Sequence, residues 1–185
     1  MQTTQSIVNG IDTDRLKRLV ADVSRDRRNG IAFFGVTTRW RGGAVSETEV
    51  NGWELGGRRL RKDYTIRIDE PPELCGTNTA PNPQEYLLAA MNACIMATFV
   101  AGCALNGVEL ESLEIESEGE LDLRGFLGID PSVKPGYDEL RYTIRVKGSG
   151  TPEQFEKVHQ AVVATSPNYF NMASPIRLNS RLEIE

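Results

Sequence analysis

The sequence predicts an α+β fold with antiparallel sheet. Strand-like segments come in runs separated by few helices, which disfavours a parallel stack of alternating strands and helices. Tyr86 to Leu105 carries no charge, and Asn92 and Thr98 are its only ordinary polar side chains, so it reads as a helix apolar on every face. A second helix opens at Thr151 with a capping signature and is long enough to pack beside the first, behind the sheet.

At 185 residues the chain is one domain, or a domain with an arm, and can bury a real core. The net charge of −5 argues against a nucleic-acid partner. Arg39, Arg41, Arg58, Arg59, Arg61, Lys62 and Arg67 are the counter-signal. They fall mostly in alternating sequence that places several of them on solvated strand faces. Three cysteines without close spacing make neither a disulfide framework nor a zinc site. No P-loop, dinucleotide fingerprint, nucleophile elbow or Cys-His dyad motif is present, so neither metal nor cofactor is expected. The polar start, MQTTQSIVNG, shows no secretory signal, which makes a reducing cytoplasm the expected location.

Taken in order, residues 1–10 read as a loose tail. Thr13 to Arg25 reads as a helix with Leu16, Leu19 and Val20 on one face. Residues 1–29 are thus an N-terminal tail and helical extension, and residues 30–185 the main domain. Ile31 to Arg41, rich in Phe, Val and Thr, reads as a strand, and Gly42-Gly43 as a turn. Ala44 to Val50 alternates, and Asn51-Gly52 signals a hairpin. Leu60 to Ile68 looks extended, with Tyr64, Ile66 and Ile68 on one face. Asp69 to Pro83 is a long Pro/Gly/Asn loop with no regular structure, a kind that is often functional.

The central helix is expected from about 83 to 106. Asn82 caps it, Pro83 suits its first position, Glu85 completes a capping box, and Asn106-Gly107 ends it. Its length would span a bilayer. Ala and Gly supply much of its apolarity, neither flank has a Lys/Arg cluster, and Glu109 and Glu111 follow at once. A buried core helix wrapped by the other elements is therefore expected, and no membrane. Glu109 to Leu123 and Tyr137 to Val146 read as strands, with a Gly/Pro loop between them. The second helix runs to about Thr165, Ser166-Pro167 breaks it, and Asn168 to Ala173 forms one further turn. Ile176 to Ile184 alternates as a last strand.

Cys94, in the middle of the central helix, is the leading candidate for chemistry. The alternative is a buried structural thiol, where free cysteine usually sits. About three turns in, it lies beyond the reach of the helix N-terminus, so a reactive thiolate there needs a cation from another element. Glu85 and Cys94 are nine positions apart, as are Cys94 and Cys103, which at about 100° per residue puts each pair on opposite helix faces. Cys103 lies about 13 Å further along and reads as packing. Cys75 sits in the loop, and an extended tether of about 26 Å would let it return to Cys94, or it is a loop thiol without function. His159, the only histidine, reads as a surface or satisfied core residue.

Gly76-Thr77-Asn78, the run from Asn82 to Ala90 and Asn92-Ala93-Cys94 resemble the OsmC/Ohr family of osmotically inducible and organic hydroperoxide resistance proteins. The order of elements from about residue 30 is compatible. The resemblance implies an OsmC-like fold: two long central helices packed against curved antiparallel sheets, in an intertwined homodimer. It also implies thiol peroxidase chemistry on small organic hydroperoxides, with a thiol reductant as the other partner. Cys94 matches the attacking cysteine, Arg67 the arginine that stabilises its thiolate, and Glu85 the glutamate that orients the arginine. Tyr169, Phe170 and Met172 would line an apolar pocket for the organic group. The family's second redox cysteine is replaced by Ser166, and serine cannot close the usual disulfide. Cys75 would then resolve the oxidised Cys94, or an external thiol would. The alternative is a non-catalytic member of the fold that binds a small molecule or a protein.

Overall fold

The structure is a computed structural model and describes residues 6–184. The chain divides into two compact units, residues 1–89 and 90–185.

In the first unit, Ile7–Val8 (β1) and Ile11–Asp12 (β2) pair through Asn9-Gly10. The segment expected to be a loose tail is therefore a small hairpin over its described residues. Helix α1 (Thr13–Arg25) follows, capped by the Asp12 side chain on the Arg15 N–H at 2.8 Å. Strands β3 (Ala32–Gly42), β4 (Val45–Leu55), β5 (Arg58–Leu60) and β6 (Thr65–Ile68) form one antiparallel sheet, in which β4 pairs with β3, β5 and β6. The expected hairpin at Asn51-Gly52 is corrected: β4 runs straight through it. Val36 faces Val50 and Phe34 faces Trp53, so Asn51 and Gly52 together oppose Gly35 in a bulge. Gly52 holds φ +95, and a Cβ there would lie 2.5 Å from the Leu60 carbonyl oxygen. The Asn-Gly pair supplies a bulge's positive φ here, not a turn's.

In the second unit, β7 (Leu110–Gly119) and β8 (Leu140–Gly148) form an antiparallel pair. A short helix, α3 (Leu123–Phe126), lies in the connection between them. Helix α2 (Pro83–Leu105) begins in the first unit and runs on into the second. Helix α4 (Pro152–Thr165) has the expected capping box, made by Thr151 and Gln154, and α5 (Pro167–Ala173) follows directly. The core is Met91, Ile95, Phe99 and Cys103 of α2, Val108, and Val158 and Val162 of α4. The inward residues of β7 and β8, among them Leu113, Ile115, Ile144 and Val146, pack against it. Phe99 and Phe155 stack with ring centroids 6.5 Å apart. Outward, Glu114 and Glu116 pair with Arg145, and Glu118 with Arg141. These pairs are exposed and contribute little beyond solvation.

Two further expectations are corrected. Ile176 to Ile184 forms no strand, and Leu178, Leu182 and Ile184 are exposed. Period-two alternation specifies which side chains share a face, but a strand also needs a ladder partner, and none is present among the described residues. The central helix is not wrapped on all sides either. It buries one stripe, Met91, Ile95, Phe99 and Cys103 with Ala104, while Leu87, Ala93, Ala97 and Leu105 are exposed. Among the described residues it is the one helix long and apolar enough to cross a membrane by length and composition.

Candidate functional site at the α4–α5 break

Cys94 is half-buried in α2. Its sulfur accepts a hydrogen bond from Ser166 Oγ at 3.5 Å. Ser166 is 1 % exposed, so bulk solvent does not reach that hydroxyl. Its position follows from the local sequence. Val162 O accepts the Ser166 N–H at 2.8 Å and closes α4; Pro167 then cannot continue the helix, and Ser166 becomes the first cap of α5. A serine at such a cap normally turns its oxygen onto the next helix's N–H groups. Ser166 makes no such bond and gives its hydroxyl to Cys94 instead. Asn168 Nδ2 donates to the Ala90 carbonyl at 2.9 Å and ties α5 to α2 one turn before Cys94. Helix packing thus brings together two expected residues 72 positions apart.

The pocket residues separate. Tyr169 and Met172 pack against the core, whereas Phe170 is 64 % exposed. Tyr142, which packs inward on β8, carries no signal in the sequence beyond its place in a strand. Its ring meets Tyr169 edge-on at 6.3 Å and His159 edge-on at 6.4 Å, and its hydroxyl lies 3.5 Å from His159 Nε2. Burial, with Tyr169 adding to it, pushes the Tyr142 phenol up from its ordinary value. His159 is half-buried in this aromatic row. Beside it, between β8 and α4, lies a cavity of about 440 Å³ lined by Phe99, Ile144 and Phe155 among others. Cys103 is fully buried, and that burial pushes its thiol up, away from the reactive thiolate. The Asn92 side chain donates to the Ile115 carbonyl at 3.3 Å, and its buried Oδ1 has no partner among the described residues.

Arg67, Cys75 and Glu85 belong to the first unit. Arg67 is exposed on β6, and its carbonyl accepts the Tyr86 hydroxyl at 2.7 Å. Glu85 closes the capping box: Oε2 accepts the Asn82 N–H at 2.7 Å, and Asn82 Oδ1 accepts the Glu85 N–H at 2.9 Å. Among the described residues its carboxylate engages this cap and no arginine.

The loop carrying Cys75, expected to have no regular structure, includes the 3-10 turn Pro72–Leu74, and the residue that holds it is Asp69. Asp69 is fully buried. Its carboxylate accepts the Thr77 and Thr79 hydroxyls at 2.6 and 2.9 Å, the Thr79 N–H at 3.0 Å and the Glu70 N–H at 2.8 Å. The Thr77 hydroxyl and these backbone donors hold the carboxyl well below the usual range. Gly76 lies so close to Glu70 that a Cβ would fall 1.7 Å from its carbonyl oxygen. Cys75 itself is exposed, at φ +62 after the 3-10 turn Pro72–Leu74. The only sequence signal for this anchor was an Asp at the end of a strand followed by Thr-x-Thr.

The profile of the OsmC-like protein family matches residues 76–181, more than half of the chain. The chain belongs to the OsmC-like family. Solved structures agree on the fold. An OsmC-like protein from Mycoplasma pneumoniae matches with a TM-score of 0.60 at 13 % identity, over 76 % of this chain and 87 % of that one. An OsmC-like protein of unknown function from Vibrio cholerae O1 biovar eltor str. N16961 gives 0.54 at 17 %, over 75 % and 92 %. A Psychrobacter arcticus 273-4 protein, provisionally described as an osmotic stress induced and detoxification response protein, gives 0.55 at 13 %, over 76 % and 87 %. No curated protein matches the chain. The α+β fold with antiparallel sheets is thus that of the OsmC-like family. Glu85, Cys94 and Ser166 lie inside the matched residues; Arg67 and Cys75 lie outside them.

Proposed function

We propose that the protein is a thiol-dependent peroxidase that reduces organic hydroperoxides at Cys94 and serves in defence against oxidative stress. The observation that carries this reading is the Cys94 sulfur, half-buried in the family's helix and met by the Ser166 hydroxyl. The Cys94 thiolate attacks the distal oxygen of the hydroperoxide. An S–O bond forms, the O–O bond breaks, and the alkoxide leaves as the alcohol after taking a proton. Arg67 is proposed as the cation that stabilises the thiolate and the leaving oxygen, and Tyr169 and Met172 as apolar cover for the organic group. The test is titration of the Cys94 thiol with cumene hydroperoxide. One thiol lost per equivalent is expected, and a thiol that survives excess peroxide in the folded protein would sink the reading. Arg67→Ala should slow alkylation of Cys94 near neutral pH by roughly tenfold, as loss of one adjacent cation would. An unchanged rate would leave Arg67 as a strand-face residue only.

Ser166 in place of the second redox cysteine favours one other reading, a member of the fold that binds a small molecule or protein without turnover. It predicts ligand binding with Cys94 unreactive.

The working form is proposed to be a homodimer. No apolar side chain of the first unit is buried among the described residues, and Phe33, Phe34, Val36 and Trp40 of β3 are all more than half exposed. The uncovered side of α2 and the unpaired alternating segment from Ile176 to Ile184 demand the same cover. A second copy presents all of these surfaces at once.

A further inference from the structure

We infer that Ser166 makes Cys94 a one-cysteine centre: its hydroxyl holds the Cys94 sulfenic acid, which a low-mass external thiol then reduces. This rests on the peroxidase reading above. Ser166 is buried, forgoes its helix cap, and spends its hydroxyl on Sγ at 3.5 Å. A hydroxyl buried away from bulk solvent loses free energy without a partner, and it can donate to an oxygen as well as to a sulfur. Once the sulfur carries an oxygen, the same hydroxyl is placed to donate to it. Ser166 cannot close an S–S bond. Cys103 is fully buried, with its thiol pushed up, and Cys75 sits on a loop pinned through Asp69 and Gly76. A thiol from outside is the reductant this arrangement calls for, and a Cys75–Cys94 disulfide is the competing outcome. That thiol must be slender, since the sulfur is half-buried in a helix beside a residue that is 1 % exposed.

The sequence of steps balances. Cys94–SOH and a first thiol R′SH give the mixed disulfide Cys94–S–S–R′ and water. A second R′SH releases R′S–SR′ and returns the Cys94 thiol.

The experiment treats the full chain with one equivalent of cumene hydroperoxide, follows Cys94–SOH by dimedone trapping and mass mapping, and then adds glutathione. In the wild type the sulfenic acid should persist and glutathione should return the thiol through a mixed disulfide. In Ser166→Ala the sulfenic acid lifetime should fall roughly five- to tenfold, the worth of an ordinary hydrogen bond, and a second equivalent of cumene hydroperoxide given in place of glutathione should carry Cys94 on to sulfinic acid faster than in the wild type. Ser166→Thr keeps the hydroxyl and should restore the lifetime, which separates the hydrogen bond from mere packing and covers a Ser166→Ala chain that folds poorly. An unchanged lifetime in Ser166→Ala would overturn the inference, as would a Cys75–Cys94 disulfide in the wild type. A wild-type Cys94 that never reacts with the peroxide fails earlier, at the peroxidase reading itself, and takes this inference with it.

Discussion

At the scale of single residues, polar groups buried against specific partners decide more than the apolar ones do. Asp69 gathers five donor contacts from Glu70, Thr77 and Thr79 and so fixes the loop that leads into α2. Its carboxyl titrates lower in the folded chain than the value of about 3.9 usual for an unfolded one. The stabilisation is therefore fully present above that unfolded value and is lost as pH falls through the lower, folded one. Acid melts should show stability falling below about pH 4, and Asp69→Asn should flatten that dependence while lowering Tm at neutral pH, because its amide would face the Thr77 and Thr79 N–H groups. An unaltered acid limb in Asp69→Asn would mean that other carboxylates dominate. Phe99, 1 % exposed against Phe155 and the strands, carries the apolar counterpart. Phe99→Ala should cost about 3–5 kcal/mol in denaturant melts. For Ser166, the introduced thiol of Ser166→Cys should form a disulfide with Cys94 under peroxide, since the present Oγ–Sγ separation is 3.5 Å. Its absence on non-reducing mass mapping would show that the backbone holds the two sulfurs apart.

At the scale of elements, caps and bulges explain where each piece starts and where it bends. The Thr151–Gln154 box fixes the start of α4, with bonds of 2.8 and 3.3 Å. Thr151→Ala should cost about 1 kcal/mol in global stability, and a change of only a tenth of that would show that packing alone holds the helix end. The Asn51-Gly52 bulge lets β4 stay one continuous strand, so that it pairs with β3, β5 and β6 at once. The end of α4 matters most for chemistry. Because Pro167 forces a break there, the residue that caps the end of α4 turns inward, and that residue is Ser166.

At the scale of the whole molecule, the apolar cover missing from one chain sets the expected assembly. A proposed dimer that buries the β3 face, the bare side of α2 and the segment from Ile176 to Ile184 belongs to the obligate class, well over about 2,000 Å² in total. Light scattering at micromolar concentration should give twice the mass of the chain, and a stable folded monomer would count against the proposal. Removal of the chain after Ser174 deletes the four apolar residues of the unpaired segment. It should shift the distribution toward monomer or aggregate, and an unchanged dimer would show that this segment is not part of the interface.

What the sequence determined by itself are features that depend on neighbours in the chain. Helices α1, α2 and α4 announce themselves through caps, prolines and periodicity, and so does the Ser166-Pro167 break. The family too was legible, from Asn82 to Cys94, because its residues sit on one short stretch. What only the tertiary structure decided depends on distant partners. It decided that Ser166 reaches Cys94 across 72 positions, that Asp69 anchors the loop through Thr77 and Thr79, and that Asn51-Gly52 bulges because Gly35 lies opposite. It also decided that the alternation from Ile176 to Ile184 finds no ladder among the described residues. Periodicity fixes which side chains share a face. Whether that face meets a partner is a property of the packed molecule, and local pattern carries no term for it.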